Sequence, residues 1–138
     1  KGVILILLLG LNFAASDQIS SSVIKPAVGR MRPCNDEKFQ DKVTLRIPLC
    51  GGGKSFTSSH ATNTFAFATL LLLFFRKRYR WIAPLALFWA TLVSFAQIYV
   101  GVHYPLDILG GALLGSIISL IIYKIAIRFV FPRWKVEL

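Results

Sequence analysis

Negative charge is scarce in this chain. Six Asp and Glu stand against sixteen Lys and Arg, a formal net charge of +10 across 138 residues. There are only two histidines and two cysteines. No His, Cys or acidic cluster has metal-ligand spacing, so neither a metal centre nor a metal cofactor is expected. The absence of a glycine-rich nucleotide loop and of an internal repeat argues against a nucleotide-binding enzyme or a repeat scaffold. The apolar start has no small-residue cleavage site leading into a soluble domain, as a signal peptide would have. It also has no initiating Met, and residues upstream of Lys1 are expected.

Apolar length is abundant. Hydrophobic residues make up 55% of the chain, and 2–16, 61–75, 81–102 and 108–123 carry no charge. A helix needs ~20 mostly apolar residues to cross the hydrocarbon core, fewer where flanking side chains snorkel. Residues 81–102 reach that length outright; the others reach it if Lys1, Arg76, Lys124 and Arg128 extend to the interface. The pattern predicts an all-α polytopic transmembrane bundle in one domain, 1–138, with spans at about 2–22, 60–76, 81–102 and 106–127, rather than the buried helices of a soluble protein. The densest basic cluster, Arg76, Lys77, Arg78 and Arg80, is a short link between two apolar runs. That placement fits a cytoplasmic loop under the positive-inside rule and argues against nucleic acid as the partner.

With that loop inside, 62–75 runs inward, 81–102 outward, and the last span returns to Lys124, Arg128, Arg133 and Lys135. Tyr79, Trp81 and Trp134 then suit the inner interface, and Tyr99 and Tyr104 the outer one. The expected outer side carries a polar loop, 23–59, and the short link 101–105. Lys25, Arg30, Arg32, Ser58, Ser59, His60, His103 and Asp107 all gather there. The same loop holds Cys34 and Cys50, which in an oxidising compartment are either bridged or two free thiols.

His60 follows Ser58 and Ser59 at the head of an apolar helix. Such an N-terminus offers unpaired N–H groups and a positive dipole end to phosphate, although a plain serine cap with an interfacial histidine has the same spelling. His103 and Asp107, four apart around Pro105, suit a carboxylate that fixes a histidine tautomer; an Asp complementing the helix dipole is the simpler reading. Lys25 and Arg32 are seven apart, close to two helical turns with Pro33 ending the run. They read as a phosphate clamp or as interfacial snorkelling. The first span also contains Asp17, an ionisable group of a kind usually paired or functional at membrane depth.

Taken together these segments resemble the type 2 phosphatidic acid phosphatase family. Lys25-Pro26-Ala27-Val28-Gly29-Arg30-Met31-Arg32-Pro33 looks like its first signature, K-x6-R-P. Thr57-Ser58-Ser59-His60 is similar to its P-S-G-H, and Ala96-Gln97, His103 and Asp107 resemble its S-R-x5-H-x3-D. The resemblance implies a six-span bundle, of which four spans lie in this chain. It implies a metal-free lipid phosphatase of the cell (inner) membrane whose site faces the periplasm or exterior. His103 would be the nucleophile that becomes phosphohistidine, Asp107 its holder and His60 the acid. Lys25, Arg32, Ser58 and the backbone at Ser59 would bind phosphate. The bilayer and a lipid phosphomonoester or diphosphate are the implied partners.

Gln97 departs from the pattern, standing where the family has Arg; it keeps a donor but loses a charge-assisted contact roughly twice as strong. Arg30 or Lys54 is an auxiliary candidate for that charge. A silent lipid-phosphate binder, motivated by Ala96 and Gln97, is one alternative. Another is a transport or assembly component, motivated by the small-xxx-small pair Gly111 and Gly115.

Overall fold

The structure is a computed structural model and describes residues 2–131; Lys1, Arg133, Trp134 and Lys135 lie outside these residues. Among the described residues all regular structure is helical. Helix α1 (Gly2–Gln18) continues through wider π-type turns (Ile19–Ile24) into the short α2 (Lys25–Val28). A loop, 29–58, leads to α3 (Ser59–Phe75), followed by α4 (Ile82–Tyr99) and α5 (Pro105–Ile125), which ends in one π-type turn (Ala126–Val130).

Helix α3 is the hub, packed by α1, α4 and α5. Each neighbour offers it a stripe of small or polar residues at helical spacing. Asn12, Ser16 and Ser20 line one side, Ala86, Ala90 and Ser94 another, and Gly111, Gly115 and Ser119 the third. Small residues let helix backbones approach closely in lipid, where lipid tails are as apolar as leucine. A Cβ added at Gly111 would sit 2.8 Å from the Ser58 carbonyl oxygen, and one at Gly115 would collide with the backbone at Thr62 and Ala66. The glycine pair is therefore spent inside the chain, on α3, and is not a free assembly motif. Ser119 adds a polar tie, its hydroxyl lying 2.7 Å from the Ala66 carbonyl and 3.0 Å from Asn12 Oδ1.

The opposite faces are apolar and exposed, with Leu7, Phe88 and Leu113 each 66% accessible. Helices apolar all round belong in a bilayer. The stretches Gly2–Asn35, Ile82–Tyr99 and Pro105–Val130 contain helices long and apolar enough to cross one. The central α3 has 17 residues, ~25 Å of helix, at the short end of the spanning range. This is a polytopic helical membrane bundle.

Two boundaries differ from expectation. The first helix runs on to Val28, so Lys25 sits on a helix end and not in the loop. Helix α4 stops at Tyr99, and the chain reverses at Gly101, whose φ of +85° favours glycine. The basic link 76–80 lies at one end of the bundle, and loop 29–58 with the start of α5 at the other.

Candidate active site

Helix α5 begins with Tyr104 as N-cap and Pro105 in the first turn, where its missing N–H costs nothing. Asp107 reaches back to accept from the Tyr104 backbone N–H at 2.9 Å. His103 lies just before the helix, held by its N–H on the Gln97 carbonyl at 3.2 Å. The helix-face expectation for His103 and Asp107 is thus replaced by a capping geometry that still brings them together, with His103 Nδ1 3.5 Å from Asp107 Oδ2.

Two residues complete that pair. Ser55, fully buried, donates its hydroxyl to Asp107 Oδ2 at 2.5 Å and lies 3.2 Å from His103 Nδ1. With the hydroxyl proton on the carboxylate, Ser55 Oγ accepts from Nδ1–H, leaving the Nε2 lone pair free. Arg30 Nη1 bonds the other carboxylate oxygen, Oδ1, at 2.9 Å. Its guanidinium lies over Phe56 and Tyr104, 5.4 and 5.6 Å from the ring centroids. The Arg30 carbonyl in turn accepts from the Ser55 N–H at 2.8 Å. Arg30 is therefore engaged by Asp107 and is not a spare cation. Lys54 lies near the Met31 side chain, its Nζ 3.6 Å from Sδ.

Helix α3 starts beside α5. The Ser58 N–H donates to the Asp107 carbonyl at 3.1 Å, so two helix N-termini adjoin. Ser58 is the cap, its Oγ accepting from the Ala61 N–H at 3.4 Å. Ser59 Oγ turns to Ser20 Oγ, 3.2 Å away. His60 stands exposed on the first turn of α3. Asp17 is paired, accepting from Asn63 Nδ2 at 3.1 Å.

Lys25 and Arg32 do not share a helix face, because the helix ends at Gly29 (φ +67°) and Arg32 is extended. The turn still brings both charges to bear on His103. Arg32 Nε is buried without a partner among the described residues, and the guanidinium lies against Gly51, where a Cβ would be 3.6 Å from Cζ. Cys34 and Cys50, bonded to each other, tie together the chain just after Arg32 and just before Gly51. Burial holds His103 below the usual histidine value; the Asp107 hydrogen bond opposes that shift, and the charges of Arg32 and Lys25 reinforce it.

His103 is held at Nδ1, the Asp107 carboxylate is bonded through both oxygens, and the charges of Arg32 and Lys25 act on the same histidine. The family model described as PAP2 superfamily matches residues 2–130. The chain belongs to that superfamily. It is 38% identical over 119 residues to a lipid A 4'-phosphatase of Bacteroides thetaiotaomicron, a match covering 86% of this chain and 52% of that protein. An undecaprenyl-diphosphatase of Sulfolobus acidocaldarius is 44% identical over 119 residues, covering 86% and 53%. The chain thus spans about half the length of these relatives. The crystal structure of a transmembrane PAP2-type phosphatidylglycerolphosphate phosphatase from Bacillus subtilis shares the fold, with a TM-score of 0.64 at 22% identity over 99% of this chain and 62% of that one.

Lys25, Arg32, Ser58, His60, His103 and Asp107 are candidates that the sequence of this PAP2 member offers, and Asp107 is the one that meets both His103 and Ser58. Ser55 is not among them. A small hydroxyl in a glycine-rich loop carries no local signal, and its partners lie 48 and 52 residues away.

Proposed function

We propose that this chain is an integral-membrane lipid phosphatase working through a phosphohistidine. His103 Nε2 attacks phosphorus as the bond to the lipid oxygen breaks, and a protonated His60 gives its proton to that oxygen. Water then attacks the phosphohistidine, His60 takes the water proton, and inorganic phosphate is released. Lys25, Arg32 and the Ser58 hydroxyl neutralise the equatorial oxygens, the electrostatic work phosphoryl transfer mainly needs. Ser55 and Arg30 are positioning residues acting through Asp107. The positive-inside rule puts the site on the non-cytoplasmic face of the cell membrane, where a head group is wet and its tail stays in lipid. The observation that carries the reading is Arg32, its Nε buried without a partner among the described residues and its charge acting on a histidine whose Nδ1 is already committed.

The names of the relatives support lipid A phosphates or a polyprenyl diphosphate as substrates. The test is phosphate release by the full-length protein across such a panel, with EDTA present. Wild type is expected to turn over and to trap acid-labile phosphate on His103, and vanadate to inhibit. His103→Ala is expected to lose at least about a thousandfold in kcat. Phosphate trapped on His60 would reverse the roles, and loss on chelation restored by magnesium would overturn the metal-free mechanism. Gln97 in place of arginine favours one competing reading, a silent binder; no release from any lipid would establish it.

A further inference from the structure

Below His60 the membrane face of α3 is hollow. Residues 60, 64, 67 and 71 fall on one stripe of that helix, three or four apart. The upper hollow, about 140 Å³, is lined by Asn63, Thr64 and Phe67 of α3, Phe13 of α1 and Trp89 of α4. A larger one, about 440 Å³, continues past Phe67 and Leu71 against Leu85 and Trp89, and all its lining residues are apolar. Phe67 and Trp89 line both, their rings edge to face at 6.0 Å, so the two hollows lie one after the other on either side of a single ring pair.

We propose that this groove holds a hydrocarbon chain of the substrate lipid. The proposal rests on the phosphatase reading above, and the direction of the chemistry selects the occupant. The group His60 protonates is the leaving oxygen, and that oxygen carries the lipid. The tail therefore departs on the His60 side, and the stripe leading down from His60 is the groove. Its length agrees: eleven residues from His60 to Leu71 rise ~16 Å, about half of a hydrocarbon core ~30 Å thick. Asn63 and Thr64 lie nearest the head-group end, their polar groups turned to Asp17 and to the His60 carbonyl, so both hollows present apolar walls. A protein helix is ~10–12 Å across and would ride over hollows of this size, whereas a methylene chain enters them.

The test uses the full-length protein and compares a long-chain phosphatidic acid with p-nitrophenyl phosphate, which has no tail. Leu71→Trp and Leu85→Trp fill the groove. The ratio of kcat/KM for the long-chain lipid to that for p-nitrophenyl phosphate is expected to fall about tenfold. An unchanged ratio, including equal loss on both substrates as when a protein segment or a second copy occupies the groove, overturns the proposal. A lipid phosphate with a diazirine at its tail end provides a reading on unmodified protein: label is expected between Phe67 and Trp89, and label confined to other faces overturns the groove. If the protein releases no phosphate from any substrate yet the diazirine labels this stretch, the phosphatase reading fails while the groove stands.

Discussion

At the scale of single residues, the proposed mechanism makes the acid–base state of His103 govern what the site can do. Its lowered pKa, caused first by burial, keeps the ring neutral at pH values where a free histidine, near ~6.5, is half protonated. A lowered value means the active neutral form persists as pH falls, and is lost only below the folded pKa. The acid limb of kcat/KM is therefore expected below ~6.5 in wild type. Ser55→Ala and Arg30→Gln each remove a group that compensates the Asp107 charge. The carboxylate then favours the imidazolium, and the limb moves to higher pH. Ser55→Ala should also lower kcat about tenfold, the equivalent of one hydrogen bond of ~1.4 kcal/mol. Arg30→Lys is expected to restore most of the profile. A fall in rate with no movement of the limb would reduce both residues to scaffolding.

At the scale of elements, the contact of α3 with α5 positions the site, because Ser58 and Asp107 meet where the two helices start. Gly115→Leu places a side chain where the α3 backbone already is. Overpacking of this kind costs ~1–3 kcal/mol or more. The expected outcome is a lower unfolding temperature in detergent together with lost activity, while Leu113→Ala on the exposed face leaves both nearly unchanged. Equal behaviour of the two variants would contradict the packing. The helices themselves were legible in the sequence, since apolar runs bounded by Arg76, Arg80 and Lys124 mark α3, α4 and α5 to within a few residues. The end of the first helix was not: the polar run Ser20 to Ser22 reads as an exit from the membrane, yet Ser20 bonds Thr57 and Ser59 and the helix continues. Arg30 reads in the sequence as an auxiliary cation, as Lys54 does, because residue type reveals charge but not partner, and its partner is 77 residues away.

At the scale of the whole molecule, the two ends differ in how their charge is balanced: the link 76–80 is basic with no acid in it, whereas the cations from Lys25 to Lys54 share their end with Asp36, Glu37, Asp41 and Asp107. That predicts a topology. In the full-length protein within intact cells, Leu49→Cys, at an 80% exposed position in the site loop, is expected to react with a membrane-impermeant maleimide. Arg78→Cys should react only after permeabilisation. The native cysteines, bonded to each other, stay silent. Labelling in the opposite sense would turn the molecule over.

The adjoining starts of α3 and α5 have a consequence for the end of the catalytic cycle. Each N-terminus presents roughly half a positive charge, and Lys25 and Arg32 add whole ones. On the proposed mechanism, once the tail is cut away, inorganic phosphate carries comparable charge and rests in the same well with nothing in the bilayer to draw it out. Escape into water then competes with chemistry as the slow step. Because ionic screening reaches about 8 Å at physiological salt, the surrounding electrolyte acts as a control on how quickly the site empties.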